Sequence, residues 1–562
     1  MLNNTFVNSI YFLMDQIFPN KSRLIFYLFF YYSLTFINAI LESIAIFIFV
    51  LILTSNNMNL YESNLPDFML NIFRYLPFEL SFANIVYFAL LLFTFTTICK
   101  FTLIFLEGRL SNIFRHNLQQ NIFQKYLHSL RSSLGSYNVG ELVGTNTQEA
   151  QIVAKLLLAI ITAFFYLFSA IITIGIACLI NFQATLIFAL IGLPLLILVR
   201  VVIKIQTQLS KRFSEIRNDF SAHVTDKLNG LFQIQTDHSH SFHLSNTRKI
   251  QKDFYDKEML IALCQSFIGS YNLLVPFSLL LIMAIYINLY GSDSLGMDLS
   301  LYAGVGAICY KLIGQLSGLM VSIGNMSRLY GSVIPVITSL KIKINSKEFK
   351  ILRDVSSIEI RKVSFSYNKK NIIKNLNLDL VKGKPILIKG ESGKGKSTFM
   401  NILTGIETPN SGSIFFKTSS GINYDATKFK FNVGYVIQDI YFFKDTLRNN
   451  LKSGQKISDK KLWEILDQVG MKSFVLKNDG LDMNIDEAGR SMSGGQRRRL
   501  GIARVLVSNP QVLLFDEILS GLDDQNKKII LKLIQKLAIN KIVVIVSHEK
   551  INLKGITNFV MP

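Results

Sequence analysis

Gly390-Glu391-Ser392-Gly393-Lys394-Gly395-Lys396-Ser397-Thr398 comes directly after the apolar run Pro385-Ile386-Leu387-Ile388 and precedes a helical pattern from Phe399 to Leu403. The stretch fits G-x-x-x-x-G-K-[ST] in the strand–loop–helix setting that this pattern requires. Its glycines let backbone N–H groups turn inward on phosphate oxygens, and the helix start adds the positive end of its dipole. Lys396 reaches the β- and γ-phosphates of a nucleotide, and the Ser397 hydroxyl is placed to ligate Mg²⁺. The expectation from these residues is an α/β domain that binds ATP with Mg²⁺.

Upstream of about residue 345 the chain has a different character, with long apolar runs. The whole is 50% hydrophobic and only 17% charged, too apolar for a wholly soluble protein, so the front half belongs in a bilayer. A hydrocarbon core about 30 Å thick asks for roughly 20 apolar residues of helix. Six stretches meet that demand: 24–54, 82–106, 156–180, 184–202, 259–290 and 299–323. Asn181-Phe182-Gln183 reads as a tight turn between the third and fourth. The connections 107–155 and 203–258 are polar and basic yet keep helical spacing, as in Ile113, Leu118, Ile122, Tyr126 and Leu130, so the membrane helices are expected to continue beyond the bilayer. Residues 1–20 read as an amphipathic helix, apolar at Phe6, Ile10, Met14, Ile17 and Phe18, lying along the inner membrane surface. The reading is therefore an all-α transmembrane domain over 21–326, a linker over 327–355 and an α/β nucleotide-binding domain over 356–562.

The net charge of +21 is distributed as a membrane protein distributes it, not as a nucleic-acid binder does. Lys and Arg gather in Arg109 to Arg131 and Lys204 to Lys257, whereas the short loop Tyr290 to Asp298 holds Asp293 and Asp298 and no base, which is the positive-inside asymmetry. Cys99, Cys178, Cys264 and Cys309 lie in or beside apolar runs without C-x-x-C spacing, as reduced, buried thiols do. Asp15 and the length of the first apolar run argue against a cleavable signal. No peptidase domain is expected ahead of the first span, and no closing helices after His548.

Further motifs surround the phosphate loop. Val512-Leu513-Leu514-Phe515 makes a buried parallel strand, and Asp516-Glu517 emerge at its C-terminal end. Asp516 would bind Mg²⁺, and Glu517 would polarise the water that attacks the γ-phosphate. Met492-Ser493-Gly494-Gly495-Gln496 is followed by Arg497-Arg498-Arg499, a Ser-capped helix start that can receive a second phosphate. Ser-Gly-Gly-Gln between the phosphate loop and the Asp-Glu strand resembles the signature of the ATP-binding cassette (ABC) ATPases. Six spans fused ahead of one cassette resemble an ABC exporter half-transporter over essentially the whole chain.

That resemblance implies further roles. Tyr367 stands where the adenine-stacking aromatic is expected. Gln438 matches the glutamine that senses Mg²⁺ and water. Asp486-Glu487-Ala488-Gly489 resembles the loop that touches the partner's helices, and Ser520-Gly521-Leu522-Asp523 the dimer-interface loop, with Gly where Ala is more usual. His548 matches the γ-phosphate histidine. The nucleotide contacts are then Tyr367, Gly390 to Thr398 and Ser493 to Gln496, and two chains facing each other complete two sites. A homodimer is implied, with a related half-transporter as the other partner option. The implied setting is a bacterial inner membrane with the cassette in the cytoplasm.

Ionisable and amide groups inside spans are functional candidates by default. Lys311, Gln315, Glu42 and Asn272 are the candidates for a substrate pathway, with Lys311 suited to an anionic group on the cargo. A structural Lys311–Glu42 pair is the alternative, and Lys100 is expected to snorkel. The cargo expected is amphipathic: a peptide, a lipid or a drug-like molecule. A lipid-linked oligosaccharide flippase and a nucleotide-gated channel on the same scaffold are the competing readings.

Overall fold

Asn4–Ile17 forms helix α1, and the longer helices of the first unit come after it: α2 (Lys21–Thr54), α3 (Phe82–His128), α4 (Ala150–Ile180), α5 (His240–Tyr290), α6 (Leu299–Leu329) and α7 (Val333–Leu340). The computed structural model describes residues 4–17, 21–54, 82–129, 139–183, 185–186, 201–202, 204–206, 208–209, 212–213, 216, 219–220, 223–228, 230–290, 299–342, 350–352, 354–367, 370–391, 393–426, 429–549 and 551–561. The chain divides into two compact units, 1–342 apart from a short stretch around 128–136, and 343–562.

In the first unit, four described helical stretches are long and apolar enough to cross a membrane: Ser22–Val50, Ala83–His128, Val139–Ile180 and Gly304–Leu340. The expected spans 24–54, 82–106, 156–180 and 299–323 lie within α2, α3, α4 and α6. The span expected at 184–202 falls mostly outside the described residues. α5 covers the one expected at 259–290, with its side chains from 271 onward outside them. At Asn181, where a turn is expected, α4 stops in extended backbone, and the Asn181 carbonyl accepts from Thr185 N at 3.1 Å and Thr185 Oγ1 at 2.8 Å. Close helix approach rests on two glycines of α6. A Cβ at Gly304 would lie 2.6 Å from the Phe47 ring of α2, and one at Gly318 2.5 Å from Tyr166 of α4.

One expectation needs correction and one gains detail. The helix expected at the N-terminus is α1, and its apolar face is packed on protein. It buries Leu13 and Ile17 in one core with Leu110, Phe114 and Leu118 of α3 and Val336 and Leu340 of α7. Its last carbonyls, orphaned at any helix end, accept from Asn117 Nδ2 (Ile17 O, 3.1 Å) and Asn121 Nδ2 (Gln16 O, 2.5 Å) of α3. The segment expected to begin a linker at 327 is instead folded into the first unit. After the 3₁₀ turn Tyr330–Ser332, α7 resumes with Pro335 in its first turn, where no amide proton is needed, and buries Val333, Val336 and Leu340.

The second unit is α/β. Its strands are β1 (Lys350–Leu352), β2 (Ser357–Tyr367), β3 (Lys370–Val381), β4 (Ile386–Lys389), β5 (Ser411–Lys417), β6 (Asn423–Asp425), β7 (Phe429–Phe431), β8 (Val433–Val436), β9 (Asp445–Thr446), β10 (Asn484–Ile485), β11 (Val512–Asp516), β12 (Ile542–Val546) and β13 (Thr557–Val560). Its helices are α8 (Lys396–Leu403), α9 (Leu447–Lys452), α10 (Asp459–Gln468), α11 (Lys472–Lys477), α12 (Gly494–Val507) and α13 (Asp524–Ala538). A parallel sheet of order β13-β4-β12-β11-β8 forms its centre, and β3-β2-β5-β6 make an antiparallel sheet. β11 and β12 are buried at every position, the mark of parallel strands covered on both faces. One apolar core holds Leu513, Phe515, Val543 and Ile545 with Leu500 and Ala503 of α12; the other holds Leu514 and Val544 with Phe399 and Met400 of α8.

Candidate functional site

The site is assembled by strand register. Val546 of β12 pairs with Asp516 of β11 and with Ile388 of β4, and Phe515 pairs with Val436 of β8. Four parallel strands therefore end at one rim. The segments leaving those ends meet there: the phosphate loop after β4, Gln438 after β8, Glu517 after β11 and His548 after β12. Ligands of open parallel sheets gather at such carboxyl ends.

The loop from β4 to α8 turns on glycine. Gly390, Gly393 and Gly395 have φ of +156°, +84° and +84°, and a Cβ at Gly395 would sit 2.8 Å from Ile372 of β3. Lys396 is buried, and its Nζ donates to Gly390 O at 2.6 Å and Glu391 O at 3.0 Å. Ser392 lies outside the described residues, Lys394 is exposed, and Thr398 stands in the first turn of α8.

The acidic and polar groups meet at the same rim. Ser397 Oγ and Tyr435 OH each donate to Asp516 Oδ2 at 3.1 Å. Burial pushes the Asp516 carboxyl above the usual carboxylate range, with the two hydroxyls pulling the other way. A buried carboxylate beside a hydroxyl, with neutral donors only in direct contact, is a hard-oxygen set that suits Mg²⁺. Among the described residues no cluster of three or more His, Cys, Asp or Glu side chains could hold a metal by itself, as expected where substrate phosphates supply the other ligands. Glu517 has φ of +51° and is pinned by its own N–H to Val546 O at 3.0 Å. Its carboxylate accepts from Gln438 Nε2 at 2.8 Å and lies 3.3 Å from His548 Nε2. The same ring nitrogen is 3.4 Å from Lys396 Nζ. In one tautomer it accepts from Lys396, and in the other it donates to Glu517.

Tyr367 is half-buried at the end of β2, edge-on to Phe365 with centroids 4.7 Å apart, and donates to Glu407 Oε1 at 3.1 Å. Burial, then the Glu407 charge, raises its phenol, while Thr398 and Asn401 of α8 pull the other way. Sequence reading passes over Tyr435 and Glu407. Tyr435 has a weak signal, standing three residues before Gln438, whereas Glu407 becomes visible only when β2 and α8 meet.

The second phosphate receptor is built separately. Buried Met492 anchors Ser493, whose Oγ accepts from Gln496 N at 3.2 Å while Gln496 Oε1 accepts from Ser493 N at 2.9 Å. This reciprocal box caps α12. A Cβ at Gly494 would meet nothing within 4 Å, so this helix start is open. Among the described residues the hydrogen bonds of Ser493 to Gln496 stay within α12 and its cap, with Ser493 O accepting from Arg497 N at 3.0 Å, and none runs to the phosphate loop. Asp486 accepts from Ser491 N and Oγ, and the Glu487 side chain lies outside the described residues. Arg498 of α12 donates to Ser520 O, and Asp523 caps α13 through Asn526 N at 3.3 Å.

In the first unit, Lys311 Nζ donates to Ala39 O and Ser43 Oγ, each at 3.1 Å, and to Glu42 Oε2 at 3.2 Å. Lys100, expected to snorkel, bonds the other oxygen of Glu42. Gln315 donates to Ser169 Oγ at 2.7 Å, and its buried Oε1 has no partner among the described residues. Asn272 is helical within α5, with its side chain outside the described residues.

Comparison with known proteins adds to this geometry. Residues 24–300 match the ABC transporter transmembrane region, and residues 373–520 match the ABC transporter family. The glutathione/L-cysteine transport system ATP-binding/permease protein CydC of Haemophilus influenzae is 32% identical over 257 residues, 45% of this chain and 44% of the relative. A Rickettsia prowazekii protein named as an export ATP-binding/permease protein is 25% identical over 468 residues, 78% of this chain and 80% of the relative. The ATP-dependent lipid A-core flippase of Photobacterium profundum is 31% identical over 224 residues, 39% of this chain and 38% of the relative. The chain thus spans less than half the length of the first and third of these relatives.

Proposed function

The chain belongs to the ABC transporter family, and from that premise we propose that it is an ATP-driven half-transporter that moves an amphipathic molecule across a membrane as a dimer. One observation carries the reading furthest. Four strand ends in register bring the phosphate loop, Asp516, Glu517, Gln438 and His548 to one rim, on a chain whose front half holds membrane-length helices.

Lys396 leaves the carbonyls of its own loop for the β- and γ-phosphates of ATP, with the loop amides around them. Ser397 and Asp516 would hold Mg²⁺, which when bound neutralises charge on the phosphates. Glu517, fixed by Val546 O and Gln438, takes a proton from water as the water oxygen bonds to the γ-phosphorus. The bond to the bridging oxygen breaks, leaving ADP and phosphate. His548 has its Nε2 beside both Lys396 and Glu517, from where the ring reaches the γ-phosphate as a hydrogen-bonding partner. The open start of α12 would serve the nucleotide of a second copy, which is why one chain alone supplies half of each site.

The six-span layout, a bacterial inner membrane and a cytoplasmic cassette belong to the same proposal. The named cargoes of the relatives differ, a thiol compound in one and a lipid in another, so the cargo class here rests on the apolar helices. A gated channel is disfavoured because it has no need of a positioned Glu517. The test is phosphate release and one-way flux in proteoliposomes. Glu517→Gln is expected to lower both by at least about 100-fold while leaving ATP binding in place. Flux unchanged in that variant would overturn the pump.

A further inference from the structure

Among the described residues of the second unit, two acidic side chains are buried: Asp516 at 5% exposure and Glu407 at 3%. Asp516 is accounted for by Ser397 and Mg²⁺. Glu407 has no part in the chemistry above, and a buried carboxylate is costly unless something compensates it. Among the described residues no Lys, Arg or His forms an ion pair with it. What it does hold is the hydroxyl of Tyr367, which donates to its Oε1 at 3.1 Å.

The turn that ends α8 delivers Glu407 to this point. Asn401 O accepts from both Ile406 N at 3.0 Å and Glu407 N at 3.1 Å, so the chain folds back on the helix, with Gly405 at a φ of +73° in the turn. Three residues after Glu407, Asn410 N donates to Ser364 O at 2.9 Å, and Asn410 Oδ1 accepts from Ser366 N at 2.7 Å. The segment is thereby strung between α8 and β2, the strand that ends in Tyr367. Thr398 and Asn401 of α8 also stand close enough to the phenol oxygen to act on it. Phe365 meets the Tyr367 ring edge-on, with the planes 83° apart. The hydroxyl end of Tyr367 is held, and the residue is left half-buried. α8 starts with Lys396 and Ser397, so the helix that presents the phosphate ligands also carries the anchor of the aromatic. Helical rise puts Asn401 about 7.5 Å along the axis from Lys396.

We propose that Glu407 is the positioning residue for the base: through the Tyr367 hydroxyl it holds the ring in the orientation in which an adenine stacks on it, at a fixed offset from the phosphate loop. The proposal deepens the ATP-binding reading and rests on it for the adenine and its stacking on Tyr367. A half-exposed ring that the nucleotide itself had to order would lose that ordering from the affinity. Tied beforehand, it does not. A hydrogen bond to a carboxylate is also roughly twice as strong as one between neutral groups, a physical reason for an acid at 407 although burial disfavours it.

The probes are adenylyl imidodiphosphate, which has the base, and inorganic tripolyphosphate, which lacks it. Each is titrated with Mg²⁺ into the full chain in nanodiscs and read by calorimetry. Tyr367→Ala is expected to weaken the adenine analogue at least about 10-fold, the usual scale of a base stacked on an aromatic, and to leave tripolyphosphate unmoved. Glu407→Leu removes the carboxylate and fills its space; it is expected to weaken the analogue about 5-fold. Its tripolyphosphate binding should hold, which also shows that the domain is folded. Tyr367→Phe should lose the same amount, and combining it with Glu407→Leu should lose no more, because either change removes one and the same contact. Glu407→Gln keeps an acceptor in place and should recover most of the loss. In turnover, Glu407→Leu should raise KM for ATP with kcat unchanged, the mark of lost ground-state binding. Unchanged analogue binding in Glu407→Leu, beside the full loss in Tyr367→Ala, overturns the role of Glu407 and leaves the stacking intact. So does a loss of both probes alike, which makes Glu407 a support of the fold, and so does additivity in the double variant. Unchanged analogue binding in Tyr367→Ala would instead count against the stacking itself, and Glu407 would then have no ring to position.

Discussion

Lys396 and Lys311 are two well-buried lysines whose contacts define their units, and they are held in opposite ways. Lys311 is neutralised: a carboxylate, a hydroxyl and a carbonyl take its three protons. Lys396 has two backbone carbonyls and the edge of a histidine, and no carboxylate in direct contact among the described residues. Buried charge is costly unless paired, so the first lysine is complete in the folded chain while the second awaits a polyanion. The comparison teaches that burial by itself does not mark a site; the sign of what surrounds the buried group does.

Substituting each lysine by methionine should therefore give mirror-image results. Lys311→Met removes one partner of a buried ion pair, and the cost is expected to be about 3 kcal/mol, at the low end of the usual range because Lys100 still faces Glu42. The readout is the melting temperature of the protein in nanodiscs, with ATP binding unaffected. Glu42→Gln together with Lys311→Met should recover most of that loss. A Lys311→Met protein that melts like the unsubstituted one would show that the pair with Glu42 is not what holds Lys311, and the contrast would collapse.

Lys396→Met should do the reverse. Charged hydrogen bonds to phosphate contribute about 1.5–3 kcal/mol each, so ATP affinity is expected to fall roughly 100-fold or more. The nucleotide-free protein should melt no lower, because a charge without a counter-charge has been removed. Fluorescent-nucleotide titration beside a thermal scan reads both at once. A clear drop in melting temperature would show that the two loop carbonyls and His548 already satisfy Lys396, and that the lysines differ less than their neighbours suggest.

The same contrast explains what is legible in the sequence. The phosphate loop and Asp516-Glu517 can be read because a fixed ligand dictates residue types at fixed offsets, Gln438 and His548 are singled out only through the family resemblance, and β11 and β12 can be read because parallel strands covered on both faces appear as unbroken apolar runs. Lys311 can be singled out, and Glu42 named as its alternative partner, but sequence does not decide between that pair and a cargo contact, and Ala39 O and Ser43 Oγ, on another helix far back in the chain, go unread. Packing decides between the two readings, because sequence spacing does not say which spans lie side by side. α7 reads as linker because the chain changes character from about Ser327 and runs into the basic, mostly polar Lys341 to Lys350, and the buried face of Val333, Val336 and Leu340 matters only once α3 and α1 are there to receive it. Lys100 reads as a water-side residue from its place near the end of an apolar run, and only the fold shows Glu42 standing beside it.

The smallest expected effect tests whether burial, and not the kind of partner, sets the cost. Arg498, like Lys396, donates to a main-chain carbonyl, Ser520 O, but it is half-exposed on α12. Gly521 next to that carbonyl has φ of +71°, and a Cβ there would lie 2.7 Å from Arg498 Nη1. This gives a physical reason for Gly where Ala is more usual: the guanidinium takes the space of the methyl. Gly521→Ala should cost about 1–2 kcal/mol from the left-handed backbone, plus a steric part that depends on Arg498. Arg498→Ala alone should cost about 1 kcal/mol, the value of one hydrogen bond in partial contact with water. Combined, the two should cost less than their sum, because the steric part vanishes with the guanidinium, and a coupling of about 0.5 kcal/mol or more is expected from the cycle. Strict additivity in the unfolding free energies would mean that Arg498 swings clear at no cost, leaving the backbone angle as the sole reason for glycine at 521.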